Sequence, residues 1–146
     1  MYLYLSSSSC EEYFPENDAV RFRTRLPKTI RLAEKRYQIA LLDIKFPKFS
    51  DKQAVATVTI NVDICGESYN GEGYGNILQK LYSDVVDKEQ KKRGIKNFVF
   101  SFDPARYVPV NTDYLDVIEV YIKRDDGKEI SLASGTSECT LHLMEK

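Results

Sequence analysis

The sequence contains no tryptophan and a single histidine, His142. With one imidazole, a histidine-based metal centre would need carboxylate or thiolate partners, and no spacing in the chain supplies them. A structural or surface role is the plainer reading of His142. Cysteines number three, Cys10, Cys65 and Cys139. An odd count with no pair at metal-ligand spacing reads as free thiols in a reducing compartment. No Asn-x-Ser/Thr sequon occurs, which agrees with a protein that is not secreted. The opening MYLYLSSSSC has only a short apolar stretch and no basic residue. It is expected to be structure rather than a signal peptide. No apolar run approaches the ~20 residues of a membrane-spanning helix. A basic surplus is missing too, since 21 Lys and Arg stand against 22 Asp and Glu. Duplex-binding proteins normally carry that surplus to displace counterions from phosphates.

Catalytic constellations are equally scarce. Gly71-Glu72-Gly73-Tyr74-Gly75 superficially matches a dinucleotide loop, but Asn76 stands where the third glycine belongs. No strand–helix alternation follows it, and the Lys-Ser/Thr pair of a phosphate loop is absent. Ser6–Ser9 offers hydroxyls without a nucleophile elbow. The acidic clusters Glu11-Glu12, Glu16–Asp18 and Asp125-Asp126 lack the spacing of a calcium loop. The run Lys88–Arg93 reads first as a solvated face and second as a nucleic-acid contact. The expectation is a non-enzyme with no cofactor, no metal and no small-molecule substrate.

What the chain does have is alternation. Apolar residues make up 42% and charged residues 29% of 146, enough for one domain with its own core. Ten Tyr and seven Phe suit strands and contact surfaces. Tyr2–Leu5 predicts a first strand and Ser6–Ser9 a loop. In Val20–Leu26, Val20, Phe22, Thr24 and Leu26 share one face, and Arg21, Arg23 and Arg25 the other. Arg36–Phe46 is apolar on both faces over Ile39–Leu42 and reads as a central strand stopped by Pro47. Val55–Cys65 alternates strictly. Gly66–Gly75 reads as a loop.

Over Asn76–Gly94, apolar residues recur at Ile77, Leu78, Leu81, Tyr82, Val85 and Val86. That spacing predicts a helix over about 76–93 with Gly94 as its stop. A strand at 77–82 followed by a charged loop is the competing reading. Asn97–Phe102 predicts a strand with Phe98, Phe100 and Phe102 on one face. Asp116–Arg124 and Glu129–Ser134 predict a hairpin. A three-residue loop would pair Ile122 with Ile130, Val120 with Leu132 and Lys123 with Glu129, with Gly127 at the left-handed position. Cys139–Met144 predicts the last strand. The sum is an all-β sandwich of about seven or eight antiparallel strands in a single domain over 1–146, with one helix at most.

Three aromatic clusters adjoin prolines: Tyr13-Phe14-Pro15, Phe46-Pro47-Lys48-Phe49 and Tyr107-Val108-Pro109. They either plug the ends of the core or anchor a subunit interface. Tyr13, Phe14, Phe46, Phe49 and Tyr107 are therefore candidate interface residues. The basic stripe Arg21, Arg23 and Arg25 joins them, facing an acidic neighbour or packaged nucleic acid.

These segments, in this order, resemble a known family. The first third runs from an apolar strand and a Ser-rich turn through Tyr13-Phe14-Pro15-Glu16-Asn17, Phe22, Leu26-Pro27, Ile30 and Leu32 to Tyr37–Ile44 and Pro47. It is similar to the start of the penton-like minor capsid proteins of Maverick/Polinton elements and related viruses. Ile60–Cys65 resembles a mid-chain strand of that family. Tyr107–Val110, Ile118-Glu119-Val120, Asp125-Asp126-Gly127, Gly135 and Leu141-His142-Leu143 resemble its C-terminal strands. Tyr37 and Phe49 stand where the family pattern has tryptophan, and a long segment between Phe49 and Val55 is missing. The resemblance implies a shortened single jelly roll that acts in a virion. Its partners would be copies of itself, with a pentamer favoured, and the major capsid protein. It would be assembled in the host cytoplasm or nucleus, as a penton, a cement protein or a domesticated host copy. A β-sandwich module that binds a peptide or glycan near Gly66–Gly75 is the alternative.

Overall fold

The computed structural model describes residues 1–9, 12–33, 35–50, 54–66, 68–69 and 74–146, and only the backbone of 68, 69, 74 and 75. The Cys10 thiol, the Glu11 half of its acidic pair and most of the Gly71–Gly75 motif lie outside the described residues. So does 51–53, within the stretch where the family's extra segment would fall.

The strands are β1 (Tyr2–Ser6), β2 (Arg21–Arg31), β3 (Tyr37–Pro47), β4 (Val58–Val62), β5 (Ser68–Tyr69), β6 (Tyr74–Gly75), β7 (Ile77–Leu81), β8 (Asn97–Ser101), β9 (Tyr107–Pro109), β10 (Tyr114–Arg124) and β11 (Glu138–Glu145). One helix, α1 (Ser83–Gln90), sits between β7 and β8. One sheet runs β1-β11-β3-β8, with β9 also on β3, and the other runs β2-β10-β4-β7. β5 and β6 form a separate two-stranded ribbon. Setting aside that ribbon and the short β9, eight principal strands of the described residues remain. The first pairs with the last, the second with the seventh, the third with the sixth and the fourth with the fifth, all antiparallel. The chain is thus one long hairpin rolled up so that its two arms make both sheets. Two further pairings, β11 with β3 and β10 with β4, close each sheet.

Alternation decides which half of each strand fills the space between the sheets. Leu3 and Leu5, Phe22, Val58, Ile60 and Val62, Phe98 and Phe100, and Ile118, Val120 and Ile122 all join one continuous buried cluster. Burying each such side chain contributes roughly 1.5–3 kcal/mol. The doubly apolar centre of β3 has a specific cause. The pairing to β11 slips between Thr140 and Leu141, so that Leu141 faces Leu41 while Thr140 faces Asp43. Leu42 is the extra residue of a bulge. Before it, odd positions (Ile39, Leu41) point inward; after it, even positions (Ile44, Phe46) do.

Two expectations are corrected. The helix is real but short, covering Ser83–Gln90 alone, while 77–81 is strand β7. β7 supplies the partner that β4 needs on its second edge, and a bulge at Leu78 buries both Ile77 and Leu78. That bulge, followed by the helix, imitates a helical period. Gly94 does take a positive φ of 71°, four residues past the helix end. The Asp116–Ser134 hairpin does not form. Both edges of β10 are occupied, by β2 (Val120 opposite Phe22) and by β4 (Ile122 opposite Ile60, Lys123 opposite Thr59). β4 outcompetes 129–134 because it offers Ile60 and Val62 in register. The 129–134 segment instead crosses the end of the sandwich, where Leu132 bridges Phe49. The turn keeps Gly127 at φ 75°.

Candidate assembly surfaces

The two outer faces of the sandwich differ in chemistry. On the β2-β10-β4-β7 sheet, Arg21, Arg23 and Arg25 point outward, as the alternation of β2 requires. Arg21 Nε and Arg23 Nε donate to the two oxygens of Glu119, at 2.9 and 2.7 Å. Arg25 lies 4.0 Å from Asp116 and its guanidinium covers the Tyr13 ring at 5.4 Å. Burial pushes the Glu119 carboxyl up, but the bonds from Arg23 and Arg21 outweigh it and hold the group below its ordinary range. Asp63 moves the other way. Its carboxylate is tucked against β10, although the residue as a whole is exposed, and that burial raises it despite a bond from the Glu119 N–H at 3.0 Å. Arg21 and Arg23 are thus spoken for by Glu119 within the chain, and the expected basic stripe is a mixed-charge ladder.

The β1-β11-β3-β8 sheet shows an aromatic outer face. His142 stacks on Tyr2 at 4.7 Å, and its Nδ1 shares a 2.6 Å hydrogen bond with the Tyr107 hydroxyl. Tyr2 and Tyr4 are exposed on β1, an edge strand. Their neighbours Leu3 and Leu5 point inward. The backbone groups of Met1 and Ser7 turn toward β11. By the antiparallel alternation those of Tyr2 and Tyr4 face the open edge.

The candidate interface residues divide. Phe46 and Phe49 are 0% and 1% exposed and belong to an aromatic knot with Phe98, centred 5.2 and 5.1 Å away. They plug the end of the core and present no surface to a neighbour. Tyr13 is exposed, Phe14 and Tyr107 are half-buried, and the three arginines lie on the outer face of β2. Sequence reading missed Tyr2, Tyr4, Tyr82, Val85 and Val99, all exposed. The Tyr-Leu alternation of residues 2–5 carried the signal for the first two. Buried Cys65 and Cys139 have their thiols pushed up to about 12 by burial. Among the described residues, no three His, Cys, Asp or Glu side chains converge as a metal site. A groove of about 660 Å³ runs beside the Tyr121–Ile130 stretch and is open and polar.

Two sheets wound from one rolled hairpin, with first strand beside last, define a jelly-roll fold. Comparison with solved structures bears this out. The fold is similar to that of the mavirus penton protein, with a TM-score of 0.65 over 99% of this chain and 99% of that one, at 7% sequence identity. No protein-family model and no curated protein sequence matches. At that identity the likeness is one of fold.

Proposed function

We propose that this protein is a viral or virus-derived capsid component, a penton-like minor capsid protein that works by assembling with copies of itself and with the major capsid protein in a virion. The observation that carries the reading is the end-to-end match of its fold to a penton protein, reached independently of the sequence resemblance at both ends of the chain. The surface agrees with it. Large apolar side chains lie exposed on edge strands, at Tyr2 and Tyr4 of β1 and Val99 of β8, where protein partners dock. A pentamer is the favoured state. The role is structural rather than catalytic, and nucleic acid is at most a secondary contact.

Sedimentation velocity and electron micrographs of the purified protein test this. A discrete oligomer, seen as rings of fivefold outline, is the expected result. A protein that stays monomeric at high concentration and fails to bind capsid shells would refute the proposal.

A further inference from the structure

The two sheets end differently. β1 and β8 are the edges of one, β2 and β7 of the other. β2 is long and basic, with Arg21, Arg23, Arg25, Lys28 and Arg31 along it. The loop before it closes its open side. Asp18 bonds both backbone groups of Arg21, at 3.0 and 2.9 Å. Asn17 bonds both of Arg23, at 2.9 and 2.8 Å. The loop thus stands where a further strand would pair. β1 has no such cover: the outward backbone groups of Tyr2 and Tyr4 meet no partner among the described residues. Neither Tyr2–Ser6 nor Asn97–Ser101 contains a charged residue, although charge, proline or a covering segment ordinarily guards an edge strand.

β8 presents its open side in matching phase. The Phe102 N–H donates to Leu42 O, and Lys96 O accepts from the Lys48 N–H. Even residues of β8 therefore turn toward β3, and the backbone groups of Asn97, Val99 and Ser101 face outward. The strand registers trace two rows straight across the sheet, Tyr4–Thr140–Asp43–Ser101 and Ser6–Glu138–Lys45–Val99. All three pairings are antiparallel, so β1 and β8 run in opposite directions. A second copy set alongside, level and in the same orientation, lays its β1 antiparallel to β8. Tyr4 then faces Ser101, and Ser6 faces Val99. Both members of each pair turn backbone groups toward the other, which is the condition for a hydrogen-bonded pair. A slip of one residue would break it. On the outer face Tyr4 lies diagonal to Val99, within reach of an aromatic ring. In the single chain these two side chains are 75% and 55% exposed.

We infer that β8 of one copy takes β1 of the next as its neighbouring strand, so that one sheet runs on from copy to copy. The inference rests on the self-assembly reading and names the joint through which it happens. The occupant is a second copy because the sheet itself supplies both halves of the joint, opposed in direction, level, in phase and free of charge. Two different strands meet, so the contact repeats around a ring when the rotation closes.

Two kinds of variant test it. Tyr4→Pro and Val99→Pro each remove an N–H that points to the open edge, a position where a strand tolerates proline. Each should stay folded by circular dichroism and sediment as a monomer. Tyr4→Cys/Ser101→Cys, in a Cys10→Ser background, places the two thiols three strand spacings apart within one chain, about 14 Å. Across the joint their Cα atoms stand about 5.5 Å apart, within disulfide range. Oxidation should link copies into the covalent form of the native oligomer, and either cysteine alone should not. The cross-link decides where a proline variant fails to fold. A folded proline variant that keeps the oligomer, or a double-cysteine oligomer that oxidation leaves unlinked, would overturn the inference while leaving self-assembly intact. A linked dimer from Tyr4→Cys alone would also overturn it, assigning β1 to a twofold contact with itself. A monomeric unmodified chain would instead count against the self-assembly reading.

Discussion

Phe49 separates two roles that its sequence context leaves open, core plug and subunit anchor. Its ring is 1% exposed and meets Phe98 edge-on, 5.1 Å apart at 72°. Phe98 in turn packs on Phe46 at 5.2 Å and Phe100 at 6.1 Å. Truncation by Phe49→Ala removes most of a buried aromatic side chain and leaves a gap beside the Phe98 ring. Large-to-small changes of this kind cost roughly 3–5 kcal/mol, the cavity adding to the lost transfer energy. Against a typical total of ~5–15 kcal/mol, that is a large fraction. For a chain of this size, ~2–4 °C of melting temperature goes with each kcal/mol, so the melt should fall by about 10 °C. Urea unfolding at low protein concentration is the assay, because the loss belongs to the single chain and should not depend on concentration. Phe49→Leu, which keeps most of the apolar volume, should cost less. Val99→Ala, at a position 55% exposed, should stay within ~0.5 kcal/mol. A Phe49→Ala chain that unfolds at the unmodified urea midpoint, yet no longer assembles, would refute the core assignment and restore the anchor.

Cys65 and Cys139, with thiols raised to about 12 by burial, should resist a thiol-specific disulfide reagent in the folded chain and react in urea. Gly127→Ala should cost about 1 kcal/mol, because φ 75° is a left-handed conformation that a Cβ disfavours, and Gly127→Asn should cost less; denaturant melts read both. Glu119 is held below its unfolded value of 4.5, so its ion pairs stabilise the fold above that pH, and the gain is lost as pH falls through the lower folded value. Glu119→Gln should therefore lower the urea midpoint at pH 7 and flatten its decline toward acid, whereas an unchanged decline would show that the Arg21–Glu119–Arg23 ladder contributes nothing.

Local alternation made the inward half of the sandwich readable. Phe22 against Arg21 and Arg23, Ile60 against Thr59 and Asn61, and Phe98 and Phe100 against Val99 all fall on the sides that a period of two assigns. Failures came where pairing is decided far along the chain. Ile130 and Leu132 match Ile122 and Val120 in pattern as well as Ile60 and Val62 do, and only the occupied edges of β10 exclude them. Ile77 and Leu78 look helical because a bulge places both inside, and a bulge is a property of two strands, not one.

The same limit governs the candidate surface. Alternation states that Tyr2, Tyr4 and Val99 point away from the core, but it does not state that β1 and β8 lie at sheet edges. That follows from the winding, which pairs first strand with last and third with sixth. Winding also carries the loop after β1 and the helix before β8 to opposite sides of one end. An acidic run at 12–18 and a basic run at 88–96 are, in sequence, two solvated stretches that charge counting cancels to −1 overall. Rolled into the sandwich, the acidic run lies beside the arginines of β2, with Glu16 acting on Arg23, while the basic run stands at the far edge. Which charges meet is therefore set by the winding and not by the run of the sequence, and for a protein proposed to work by packing against copies of itself, that local pattern matters more than net charge.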